Sequence, residues 1–148
     1  MESFDCGTPS LNDWLQRRAQ RNEGLTSRTY VVCAGKHVMG YYSLSAGSVA
    51  RRDAPGRIQR NIVDPIPSIL LGRLAVHQAI RRQRAGVGLL QHAFLRIDEA
   101  GEIIGARLVL VHAIGREATG FYSKYGFEEF PPNSNILFLR LETLKSAQ

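Results

Sequence analysis

The apolar positions of this chain change period several times, and each change marks an element. After Thr8-Pro9-Ser10, the residues Leu11, Trp14, Leu15 and Ala19 recur every three or four positions, which places them on one face of a helix running to about Gly24. Pro9 suits a first helical turn, and Thr8 or Ser10 can accept from the free N–H groups there. Residues 29–34 are rich in β-branched and aromatic side chains, Gly35-Lys36 supplies turn chemistry, and residues 38–45 form a second extended run, so a β-hairpin is predicted. Residues 47–67 hold three prolines and four arginines with little periodicity and read as an exposed connection. Residues 68–76, with Ile69, Leu70, Leu71, Leu74 and Val76, read as a strand buried on both faces. An arginine- and glycine-containing loop follows, then Val87, Leu90, Ala93, Phe94 and Ile97 at helical spacing, with the helix ending near Gly101. Residues 107–112 form a short apolar strand, 116–124 a short helix with Gly126 as its left-handed stop, and 136–141 a final strand. No internal repeat breaks this order. The alternation predicts an α/β fold in a single domain over residues 1–148, with a mixed sheet in one layered body.

Composition narrows the class. A chain of 148 residues with 44% hydrophobic positions can bury one real core, so a single globular domain is expected. No apolar run approaches the roughly 18 to 20 residues that span a bilayer, so no membrane association is expected. The start, Met-Glu-Ser-Phe-Asp, lacks the basic and apolar regions of a signal peptide, so a cytoplasmic location is expected. Cys6 and Cys33 are too few for a disulfide framework and stand in no metal-binding cluster; they are expected to be buried or inert thiols. His37, His77, His92 and His112 are scattered without a ligand partner at helical spacing, and no metal is expected. The net charge of +6 favours anionic partners, among which it cannot choose, and solubility alone explains it equally well. Its clustering is more informative: Arg17, Arg18 and Arg21; Arg51, Arg52, Arg57 and Arg60; Arg81, Arg82 and Arg84.

The segment richest in chemistry is Gln83-Arg84-Ala85-Gly86-Val87-Gly88, between a buried strand and a helix. The first N–H groups of a helix lack internal partners and its dipole is positive there, so a pyrophosphate can bind, and glycines let the backbone approach it. Two readings stand for these residues alone: an anion cradle, or a solvated loop with a glycine turn. A dinucleotide fold would add a third glycine and a later acid, and a nucleoside-triphosphate loop would add Gly-Lys-Ser/Thr; neither is present.

Gln83-x-x-Gly86-x-Gly88 resembles the acetyl-CoA pyrophosphate motif of the GNAT N-acetyltransferases. The resemblance extends to Leu71-Gly72-Arg73-Leu74-Ala75-Val76, similar to the family's strand whose splayed edge pairs with the pantetheine arm. It extends also to Phe121-Tyr122-Ser123-Lys124-Tyr125-Gly126-Phe127, similar to its C-terminal Phe-Tyr-x-x-x-Gly-Phe signature. It implies a mostly antiparallel sheet flanked by helices and acetyl-CoA as cosubstrate. The residues implied to hold it are Leu74, Ala75, Val76, Gln83, Arg84, Ala85, Gly86, Val87, Gly88 and Leu89. Tyr122, on sequence alone better explained as a core aromatic, is implied by the resemblance to be the general acid that protonates the departing thiolate. A phenol titrating at about 10 is a suitable donor at neutral pH. Tyr125, three residues on, points elsewhere around the helix and ranks second.

Phe4-Asp5-Cys6-Gly7, Leu11-x-x-Trp14-Leu15, Ser27-Arg28-Thr29-Tyr30-Val31 and Ile66-Pro67 are further similar to segments of the GNAT toxins of type II toxin–antitoxin systems, which acetylate the amino acid on charged tRNA. That resemblance implies aminoacyl-tRNA as substrate, a ribbon-helix-helix antitoxin as partner and a homodimer. Two departures stand out. The family carries an opening strand ahead of the point where this chain starts, so that strand is expected to be missing, and His77 stands where an Asp commonly follows Leu-Ala-Val. An α-amine titrates at about 8 against about 10.4 for a lysine side chain, so a strong protein base is unnecessary. Asp98 and Glu99 read as a solvated helix end. Arg28, Lys36, Arg51, Arg52 and Arg73 are the candidates for tRNA contact, with Arg84 serving the CoA pyrophosphate. Two other functions remain open at this point: acetylation of a small amine, polyamine or protein N-terminus, and a non-catalytic nucleic-acid module.

Overall fold

The computed structural model describes residues 4–7, 9–13, 27–78 and 85–147. Thr8, Trp14, Leu15, Ala19 and the arginines at 17, 18, 21, 81, 82 and 84 lie outside the described residues. The helices are α1 (Pro9–Asp13), α2 (Gly56–Gln59), α3 (Ala85–Ile104), α4 (Gly115–Lys124) and α5 (Leu141–Ala147). The strands are β1 (Arg28–Ala34), β2 (His37–Val49), β3 (Ile66–Val76), β4 (Leu108–His112), β5 (Glu128–Glu129) and β6 (Ile136–Arg140).

The six strands form one sheet in the order β1-β2-β3-β4-β6-β5. The predicted hairpin is β1–β2, antiparallel, turning at Gly35 with φ +62°, a conformation that suits glycine. Against β3, the His77 N–H donates to Met39 O at 2.7 Å, while Gly40 lies against Ala75 and Gly72 against Ser43. Partner numbers fall on β2 as they rise on β3, so this pair is antiparallel too. β3 and β4 run parallel, from Ser68↔Leu108 to Leu71↔Val111; β4–β6 and β5–β6 are antiparallel. The sheet is thus mixed and mostly antiparallel, as the family resemblance implied.

By their packing the residues fall into two compact units, Met1–Ser45 with Gly72–Arg96 and Ala46–Leu71 with Ile97–Gln148. In the first, Phe4, Cys6, Val38, Tyr41 and Ala75 form a buried cluster joined by Leu11. Phe4 meets the rings of Tyr41 and His77 edge-on, with centroids 5.5 and 5.9 Å apart. The Tyr41 hydroxyl donates to Leu11 O at 2.7 Å and ties α1 to the sheet. Asp5 accepts from the Gly7 N–H and the Asn12 side-chain amide, which hold its carboxyl below the usual value. In the second unit, Val49, Ala54, Ile58, Ile66, Leu108 and Phe138 form the core cluster.

Four sequence expectations are corrected. The connection at 47–67 is not simply exposed: β2 runs to Val49, a 3₁₀ turn covers Arg51–Asp53, and Ala54 and Ile58 are buried because they supply apolar area to the second core. Helix α3 does not end near Gly101 but runs to Ile104, with Gly105 (φ +76°) as the residue after it. Gly101 is there for packing, since a Cβ at that position would collide with Leu141 Cδ2. Asp98 therefore lies within the helix, not at a solvated end, and its Oδ1 is buried without a hydrogen-bond partner. The last strand stops at Arg140, and Leu141 opens α5, whose Leu141 and Leu144 are buried. Of the two thiols, Cys6 is buried and Cys33 exposed.

Candidate active site

The first unit gathers most of the residues implied in cosubstrate binding. Leu74, Ala75 and Val76 end β3, with Ala75 buried and its neighbours half-buried. Residues 72–76 lie past the last registered β3–β4 pair, Leu71↔Val111. Their main chain is therefore outside the parallel ladder that ties up residues 68–71. Ala85, Gly86, Val87, Gly88 and Leu89 open α3. The first turn of α3 carries no acidic side chain, so nothing in that turn competes with an anion for its N–H groups. Gly88 is exposed, and among the described residues a Cβ built on it would meet nothing within 4 Å. Strand end and helix start come together at Gly40, whose built Cβ would stand 3.2 Å from Ala75 O and 3.3 Å from Leu89 Cδ2. Gln83 and Arg84 lie outside the described residues.

The second unit holds Tyr122, on α4. Gly115 (φ +83°) starts that helix, Thr119 bonds back to Gly115 O, and Gly126 (φ +99°) terminates it. The Phe127 N–H returns to Tyr122 O at 3.2 Å, so the Phe-Tyr-x-x-x-Gly-Phe pattern is a helix stop that folds Phe127 back onto the tyrosine. Phe121 and Phe127 meet the Tyr122 ring edge-on at 5.2 and 5.4 Å. Tyr122 is 7% exposed, and burial pushes its phenol well above the ordinary value because the anion would lose hydration. Tyr125, the residue after the helix, is only half-buried and packs on Phe121 beneath the Lys124 ammonium.

The basic candidates are divided between the two units. Arg28 and Lys36 are exposed on the hairpin, and Arg73 is half-buried on β3, where its charge partly offsets the burial that raises the Tyr41 phenol. Arg51 and Arg52 are exposed in the 3₁₀ turn of the second unit. A pocket of about 220 Å³ in that unit is lined by Arg57, Glu128, Phe138 and Arg140 among others. Its charges are already answered within the chain, Arg57 by Glu128 at 2.7 Å and Arg140 by Glu142 at 3.3 Å. Among the described residues, no group of three or more His, Cys, Asp or Glu side chains could hold a metal ion, and no helix is long and apolar enough to cross a membrane. One pair escaped sequence reasoning altogether: the Tyr42 hydroxyl and His92 Nδ1 share a 2.6 Å hydrogen bond, and no local pattern signals a contact across fifty positions.

A strand that runs past its parallel neighbour and an acid-free helix start rich in glycine offer main-chain groups that could take the amide arm and the pyrophosphate of an acyl-CoA, the cosubstrate of an acyl-CoA-dependent transferase. Residues 26–129 match the acetyltransferase (GNAT) domain, and the chain belongs to that family. It is an acetyl-CoA-dependent N-acetyltransferase. It is 43% identical to the "tRNA-acetylating toxin" of Mycobacterium tuberculosis (strain ATCC 25618 / H37Rv) over 97% of this chain and 87% of that one. Its structure matches that of a tyrosine-to-phenylalanine mutant of KacT at TM-score 0.92 and 29% identity, covering 99% of this chain and 90% of that one. It also matches AtaT complexed with acetyl-methionyl-tRNAfMet at TM-score 0.88 and 29% identity, covering 97% and 89%.

Proposed function

We propose that this chain is the toxin of a type II toxin–antitoxin pair, transferring the acetyl group of acetyl-CoA to the α-amine of aminoacyl-tRNA and so blocking translation. The observation that carries this is the 43% identity, over nearly the whole chain, to a protein named for acetylating tRNA. A neighbour of matching fold bound to an acetylated aminoacyl-tRNA adds support. The whole chain acts as one GNAT domain in this reading. The main chain of Leu74, Ala75 and Val76 lines the pantetheine arm, and the residues from Gln83 to Leu89 cradle the pyrophosphate. When bound, acetyl-CoA supplies a thioester activated for attack by a neutral amine. Tyr122 holds a proton that the departing thiolate takes up, and the proton the amine sheds on forming the amide restores the phenol. Support for a tyrosine in this role comes from structural neighbours studied as tyrosine-to-phenylalanine mutants. Arg28, Lys36, Arg51, Arg52 and Arg73 meet the phosphates of the tRNA. A ribbon-helix-helix antitoxin masks the toxin, in keeping with neighbours solved as complexes with an antitoxin and DNA, and the toxin acts as a cytoplasmic homodimer.

The test is transfer of label from acetyl-CoA to charged tRNA, deacylated tRNA, free amino acids, peptides and polyamines, by wild type and Tyr122→Phe. Tyrosine-dependent label on charged tRNA alone is expected. Label on peptide or polyamine alone overturns the substrate and leaves the enzyme class intact.

A further inference from the structure

Gly40 and the Tyr42–His92 pair have no place in the chemistry above, yet all three meet the helix that opens the cradle. On β2, Gly40 sits where any side chain would press on two candidate binding residues at once, the main-chain oxygen of Ala75 and the side chain of Leu89. Two positions along the strand, on the same face, Tyr42 is fully buried and reaches His92, which lies one turn beyond Leu89 on α3. Their hydrogen bond is 2.6 Å long, and the Tyr42 ring is held from its other side by Tyr30, stacked at 5.1 Å and 17°. Thus β2 comes close to the first turns of α3 at two points: at Gly40 it leaves no room for a side chain, and at Tyr42 it bonds the helix. The polar point ties a fully buried phenol to the helix, and losing it costs a hydrogen bond.

We propose that Gly40 and the Tyr42–His92 hydrogen bond are positioning elements that set how the first turn of α3 lies against the end of β3, and thereby the affinity for CoA. The proposal rests on the assignment of residues 85–89 as the anion cradle. Helix N–H groups bind an anion only when held at hydrogen-bond distance, so a small displacement of this turn weakens binding without touching the proton donor on α4.

The experiment is titration calorimetry of the full chain with CoA, alongside kinetics at varied acetyl-CoA and saturating charged tRNA. His92→Ala is expected to weaken CoA binding about tenfold and to raise KM for acetyl-CoA equally, with the loss on KM and not on kcat. His92→Asn places an amide oxygen near the lost ring nitrogen, and binding should return to within about twofold of wild type. Gly40→Ala should weaken binding through the steric contact alone. Unchanged CoA affinity in both His92→Ala and Gly40→Ala overturns the proposal, as does a loss confined to kcat. If His92→Ala fails to melt cooperatively, Gly40→Ala and His92→Asn decide by the same measurements. Failure of the wild type to bind CoA overturns the cradle itself, and the proposal with it.

Discussion

In the proposed reaction the two compact units would contribute in different currencies. The first offers main chain: the end of β3 and the first turn of α3, where the side chains matter mostly by being small or absent. The second offers a side chain, Tyr122, enclosed by Phe121 and Phe127 and fixed by a glycine stop. Binding by backbone depends on where whole elements lie, whereas proton donation depends on one atom and its surroundings. Mutations in the two units should therefore separate affinity from turnover.

The largest effect that can break this division is Tyr122→Phe. It should lower kcat about 10²- to 10⁴-fold while CoA affinity persists, measured by single-turnover acetylation and calorimetry. A Phe variant with normal turnover would remove the second unit from the chemistry. Next is a pair of glycine substitutions on α3. Gly88→Ala adds a methyl beside the cradle and should weaken CoA about tenfold without lowering Tm. Gly101→Ala forces a methyl onto Leu141 and should cost about 1–3 kcal/mol of stability, read in urea denaturation, with CoA affinity retained once folded.

The pH dependence sharpens the comparison further. Because burial raises the Tyr122 phenol, the donor stays protonated beyond the ordinary value of about 10, so the rate should climb as the substrate α-amine loses its proton at about pH 8 and show no loss of the acid by about pH 10. Stability follows the same sign. Above about pH 10 the unfolded tyrosine ionises while the folded one does not, so the unfolded state binds fewer protons and the urea midpoint should fall as pH rises past that point. Below it the group contributes no pH dependence. The smallest effect is Arg57→Ala, which removes an exposed pair with Glu128 and should move stability by no more than about 0.5 kcal/mol.

Much of the fold was legible because period and punctuation agree: the hairpin around Gly35, the apolar β3 and the helix that carries Tyr122 all stand where the sequence predicts them. Gly101 shows what was not. A glycine late in a helix reads as a stop, yet here it answers to Leu141, forty positions away, and the stop is Gly105. The same holds for Ala54 and Ile58, whose burial comes from strands the local sequence does not mention. At the candidate site the motifs are local: residues 85–89 open a helix, and Tyr122 lies in a helix that Gly126 ends. The Tyr42–His92 bond is tertiary from end to end, and neither residue sits in a pattern that announces the other.

The strand that outruns its ladder has a genetic consequence. If residues 72–76 present amides and carbonyls to the cosubstrate, most replacements of Leu74 or Val76 leave that row of groups in place, since every residue but proline brings the same main chain. Among changes in this strand that keep the fold, proline is then the one that removes a group from the row. An inhibitor shaped to that row of groups would leave side-chain changes in the strand few routes to resistance.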